Sequence, residues 1–116
     1  MDATEVKELA KQLGADLVGI ASADVLNSFP PDPRWPQTPD RISPHCKSVI
    51  VIVSRIPAAA FRAKQNVVVQ YLDMMVLRRM DRIAHRLCEA LEDQGHPSFV
   101  TAGQETDWDL KRASYG

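Results

Sequence analysis

The chain has 116 residues, one domain by size and enough for a modest core. With 45% hydrophobic residues, 25% charged residues and a formal net charge of -1, a disordered or fibrous chain is excluded. The same balance provides no general electrostatic footprint for nucleic acid or a membrane surface.

Two cysteines, Cys46 and Cys88, fit neither a disulfide framework nor a four-thiolate metal site, and they favour a reducing, cytoplasmic setting. The longest apolar run, the five residues Val49–Val53, is far short of a membrane span. The first residues, with Asp2, Glu5 and Glu8, are too acidic and amphipathic for a signal peptide.

Asp2 or Thr4 can cap a helix running to about Leu13, with Glu5 completing an Asp-x-x-Glu capping box. Val6, Leu9, Ala10 and Leu13 form its apolar edge, and Gly14 ends it. Asp16 to Ala21 then reads as a short strand, apolar on both faces. Residues 23–46 change character. Pro30, Pro31, Pro33, Pro36, Pro39 and Pro44 remove backbone donors, and the segment reads as a long loop without internal helix or strand. Phe29 and Trp35 are expected to pin it to the core, as a surface connection in preference to a ligand cover.

Lys47 to Ser54 contains five consecutive β-branched apolar residues, which predicts a central strand buried on both faces. Residues 58–65 read either as a loop or as a helical lead-in. From Asn66 to Gln94 the residues Leu72, Val76, Met80, Ile83, Leu87 and Leu91 recur at three- and four-residue steps, the pattern of one helix face. Leu77, Ala84 and Cys88 widen this stripe, and Gly95 followed by Pro97 closes the helix. Such a helix is roughly 40 Å long. A compact chain of this size has a radius of gyration of about 13 Å, so a second copy or a further part of the protein is expected against the helix. Ser98 to Ala102 reads as another strand, and strand–helix–strand predicts a right-handed crossover between parallel strands. The expected organisation is an α/β domain over 1–103, with the loop at 23–46 and the long helix at 66–94. A polar tail over 104–116 leads into a missing remainder.

His85 and Cys88 are spaced to present two metal ligands and His45–Cys46 could add two, but they lie on opposite sides of the helix stripe; no metal site is assigned. Cys46, beside a strand, reads as buried and inert. There is no phosphate loop, dinucleotide fingerprint, nucleophile elbow or paired acid–base carboxylate set. Asp107 and Asp109 flank Trp108 in the tail and read as solvated. Arg78, Arg79, Arg82 and Arg86, crossed by Glu89, Glu92 and Asp93, read as a solvated face with some i, i+4 pairing. Met74, Met75 and Met80 read as core filling, with a subunit contact or a bulky cofactor as the alternative.

Four blocks carry a family resemblance: Leu9 to Ser22, Cys46 to Arg55, Tyr71-Leu72 with Met80 to Gly95, and Ala113-Ser-Tyr-Gly116. In order and spacing the chain resembles the amino-terminal part of the epoxyqueuosine reductase-like family, relatives of reductive dehalogenases. The resemblance implies a nitroreductase-like α/β fold, here an incomplete domain with a short sheet, a long central helix and an N-terminal helix. It implies cobalamin as cofactor, followed by a module holding two [4Fe–4S] clusters. It also implies oxidoreductase chemistry in tRNA processing or dehalogenation. The chain departs from the family in lacking the Cys-x-x-Cys-x-x-Cys-x-x-x-Cys-Pro runs. An Asp-Tyr-His cluster has no counterpart around Leu72-Asp73-Met74, and Asp109-Leu-Lys-Arg does not match the family's Asp-Ser/Thr-Ala-Pro acid motif. No catalytic or cofactor-binding residue is therefore transferred. The expectation is the first portion of a divergent family member, inactive and cofactor-free alone, joined to its remainder or to an electron-donor protein. Two alternatives stand beside it: a non-enzymatic module homodimerising through the long helix, and a flavin-binding nitroreductase relative.

Overall fold

A computed structural model describes residues 2–29, 34, 38–41, 43–101, 106–107 and 112–113. In chain order the elements are α1 (Ala3–Gln12), β1 (Leu17–Ser22), α2 (Ala23–Ser28), a 3-10 turn (Pro39–Arg41) and β2 (Ser48–Val53). A second 3-10 turn (Ala58–Arg62), α3 (Asn66–Asp93), β3 (Thr106–Asp107) and β4 (Arg112–Ala113) follow. The protein is thus mixed α/β. The chain divides into two compact units, Met1–Val18 with Ile52–Val100, and Gly19–Val51 with Thr101–Gly116.

The first unit is built on α1 and α3, which pack on each other. Asp2 caps α1, its Oδ1 accepting from the Glu5 amide at 2.9 Å. Gly14, at φ 118°, turns the chain out of α1 in a conformation that a side-chain-bearing residue rarely adopts. A Cβ there would sit 3.5 Å from Ile83 Cδ1, ordinary contact, so it is the backbone angle that calls for glycine. Val6, Ala10, Ala15, Ile83 and Leu87 are buried. Three of these side chains are large, each worth about 1.5–3 kcal/mol when fully buried, so the core is small and each one matters.

α3 spans 28 residues, about 42 Å of helix. Gly95, at φ 83°, terminates it as the sequence indicates, with the Gly95 and His96 amides donating to Glu92 O and Leu91 O, each at 2.9 Å. The anticipated core face (72, 76, 80, 83, 87, 91) is the covered one, but unevenly. Ile83 and Leu87 are 3% and 4% exposed, while Leu72, Val76, Met80 and Leu91 are half-buried.

β1 and β2 form a two-stranded sheet. Asp16 N donates to Val53 O and Ala23 N to Lys47 O, both at 2.9 Å, so the pair runs antiparallel. The expectation of a central strand buried on both faces is corrected. β2 has no fully buried residue and β1 leaves Leu17 63% exposed. β-branched content set the strand but not its cover, since such residues favour any pleated, half-buried surface. The third strand, and with it the parallel crossover through α3, is also corrected: residues 98–101 carry no strand, and Ala102 lies outside the described residues. The Cys88 thiol and Glu92 hold Ser98 through its carbonyl and amide, which turns this stretch back towards α3.

In the second unit, residues 23–46 are not devoid of helix. α2 forms directly after β1, because the prolines begin only at Pro30, and Pro39–Arg41 makes a 3-10 turn packed on α2. Asp40 N donates to Asn27 Oδ1 at 3.1 Å across that contact. Phe29 does not pin the segment, being 76% exposed; Trp35 and Pro30, Pro31, Pro33 and Pro36 lie outside the described residues. β3 and β4 pair antiparallel, Thr106 with Ala113 and Asp107 with Arg112.

Candidate functional site

The first unit contains a shallow cleft of about 280 Å³ lined by Asp16, Arg55, Pro57, Leu72, Met75, Val76 and Arg79. Its floor is the half-covered start of α3, and its polar groups come from the turn before β1, the end of β2 and α3. These polar groups are already engaged. Asp16 Oδ2 accepts from the Arg55 amide at 2.6 Å, fastening the start of β1 to the segment after β2. Arg79 Nη2 donates to Gly14 O at 2.5 Å, tying α3 to the turn that ends α1. Among the described residues no cysteine, histidine, serine or threonine lines the cleft, so these present no thiol, hydroxyl or imidazole group there. Arg79, read from sequence as one of a solvated strip, is in fact a fold-holding donor.

The other singled-out residues are dispersed. His85 is exposed and its Nδ1 lies 3.1 Å from Glu89 Oε1, a surface i, i+4 pair. Cys88 is half-buried and donates to Ser98 O at 3.3 Å. Burial, then the carboxylates of Glu92 and Glu89, push the Cys88 thiol above its ordinary pKa, which favours the protonated, unreactive form. In the second unit Cys46 is half-buried and its Sγ donates to Ser48 O at 3.4 Å; His45 is exposed. Among the described residues no group of three or more His, Cys, Asp or Glu side chains could hold a metal ion. Asp107 lies in β3, whereas Trp108 and Asp109 fall outside the described residues. No helix among the described residues is long and apolar enough to cross a membrane.

α3 also carries a second apolar stripe, which the core-face periodicity does not reveal. Val67, Val68, Tyr71, Met74 and Met75 are exposed, Tyr71 at 64%. At 100° per residue Tyr71 lies about 160° round the helix from Leu87, so this stripe points away from the core. Beyond it the same outward face continues through Arg78, Arg82 and Arg86, which form no ion pair with the described carboxylates. The expected i, i+4 pairing of those arginines is therefore absent among the described residues; they are exposed and recur at four-residue spacing. The stripe was visible as the spacing 67, 68, 71, 74, 75, but the stronger stripe on the opposite side drew the assignment.

No family model matches the chain, and no match was found among curated proteins or among solved structures.

Proposed function

We propose that this chain supplies the opening α/β portion of a cobalamin-dependent, iron–sulfur oxidoreductase resembling epoxyqueuosine reductase, and that it is inactive alone. The observation that carries the reading is the order of the sequence blocks at Leu9–Ser22, Cys46–Arg55, Tyr71-Leu72 with Met80–Gly95, and Ala113–Gly116. The exposed outward half of α3 supports it, because a larger α/β assembly would cover that surface. The proposal includes a nitroreductase-like arrangement of the complete protein, a cytoplasmic setting and an electron-donor partner, with modified tRNA or an organohalide as substrate.

The residues present do not fit either cofactor. A [4Fe–4S] cluster takes four thiolates, and the chain has two cysteines in all. Drug-sized ligands occupy pockets of about 300–1,000 Å³. A corrin is larger than such a ligand, and the cleft at Asp16 and Arg79 measures about 280 Å³. No catalytic step is therefore assigned to these side chains. The test is the reading frame after the codon for Gly116. Continuation into cysteine runs of the two-cluster type is the expected result, and an immediate stop codon would overturn the proposal.

A second reading is favoured by one observation, the outward apolar stripe of α3. In that reading the chain is a non-enzymatic interaction module that homodimerises through this helix. Sizing at several concentrations tests it; a strict monomer would refute it.

A further inference from the structure

The cleft at Asp16 and Arg79 is used by neither reading above, and each of its charged side chains keeps unused capacity. Asp16 accepts the Arg55 amide through Oδ2, which leaves Oδ1. Arg55 is held through that backbone amide, so its guanidinium has no partner among the described residues. Arg79 donates from Nη2 to Gly14 O, and a Cβ at Gly14 would sit 3.7 Å from Nη2 and 3.8 Å from Nε. That edge of the guanidinium therefore faces the turn, and the N–H groups of Nη1 are left over. On α3, Leu72, Val76 and Arg79 lie about 80–140° round the helix from Tyr71, on the flank between the outward stripe and the core face. Of the cleft's lining residues, Met75 alone belongs to that stripe.

Two guanidinium groups and one carboxylate around an apolar floor are complementary to a zwitterion. A carboxylate takes paired N–H donors from a guanidinium, and an ammonium donates to a carboxylate such as Asp16. A plain carboxylate or phosphate meets like charge at Asp16, and a plain amine meets like charge at both arginines. Size bounds the ligand as well. The cleft measures about 280 Å³, just below the range of about 300–1,000 Å³ that holds drug-sized molecules, so a nucleotide is too large.

We propose that this cleft binds a free α-amino acid with an aliphatic side chain. Its carboxylate pairs with Arg79 and Arg55, its ammonium with Asp16, and its side chain covers Leu72, Met75 and Val76. All three charged residues are exposed, so each ion pair contributes little, and a Kd of about 1 mM is expected. The assignment needs neither the larger oxidoreductase nor the homodimer.

The test is NMR titration of the 116-residue chain with leucine and three analogues, followed at the backbone amides. Isocaproate lacks the ammonium, leucinamide lacks the carboxylate and glycine lacks the side chain. Leucine is expected to shift the amides of Asp16, Arg55 and residues 72–79, and each analogue is expected to bind several-fold more weakly. Asp16→Asn keeps an acceptor for the Arg55 amide and removes the charge. It is expected to weaken leucine several-fold and tighten isocaproate, an exchange of preference that loss of structure does not produce. Arg55→Ala keeps the backbone amide and is expected to weaken leucine and isocaproate alike. The same spectra show whether each variant folds, and the analogue series on the parent chain decides where one does not. No shift at these amides up to about 10 mM leucine overturns the assignment. So does isocaproate matching leucine on the parent chain, or a folded Asp16→Asn with unchanged preference. None of these results bears on the two readings above.

Discussion

Ile83→Ala is the sharpest probe of where the first unit keeps its stability. Ile83 is 3% exposed, and its Cδ1 lies against the Gly14 turn, where α1 hands the chain to β1. Truncation removes three carbons, about 2.4 kcal/mol at about 0.8 kcal/mol per buried methylene. The cavity left behind adds to that, and measured costs for such changes span about 2–5 kcal/mol. The unit's other buried residues include the short side chains of Ala10 and Ala15, which cannot fill the space, and this argues against full collapse and for a cost of about 3 kcal/mol. The control is Met74→Ala on the outward face, 50% exposed, expected within about 0.5 kcal/mol of the parent. Urea unfolding followed by far-ultraviolet circular dichroism measures both. Equal losses for the two variants would refute the division of α3 into a core face and an outward face.

Gly95→Ala forces an L side chain into φ 83° at the end of α3 and should cost about 1 kcal/mol by the same measurement; a neutral outcome would contradict the helix termination described. Cys88 yields a pH prediction. Its thiol is raised in the folded protein, so above the ordinary thiol pKa the unfolded chain loses a proton that the folded chain keeps. Stability should therefore fall as pH rises through the alkaline range between the unfolded and folded values, and the same slope should be absent in Cys88→Ser. Alkylation of Cys88 by iodoacetamide should also be slower than that of a free thiol at pH 8, and a rate equal to the free thiol would count against the burial described.

The helices were legible because their signals are local. Asp2, Glu5 and Gly14 bracket α1, and the 3.6-residue recurrence from Leu72 to Leu91 with Gly95 marks α3. The sheet was less legible. Val49 to Val53 specify an extended strand, but pairing direction and cover are tertiary properties, and the antiparallel partner β1 comes from a segment with the same apolar look. α2 was hidden because the proline count was applied to residues 23–28, which contain no proline. The candidate site was the least legible part. Asp16, Arg55 and Arg79 stand far apart in sequence and meet only through backbone partners, Arg55 N and Gly14 O, which no side-chain motif encodes. Exposure on α3 likewise depends on what covers Val67 to Met75, and the helix pattern alone says only that those residues share a face.

The functional proposal is tested most directly by cobalamin titration, followed in the corrin's visible absorption bands. The 116-residue chain would be compared with a chain continued past Gly116 to its natural stop. The account predicts no spectral shift with the shorter chain and saturable binding with the longer one. Stoichiometric binding by the 116 residues alone, or no binding by either chain, would contradict it.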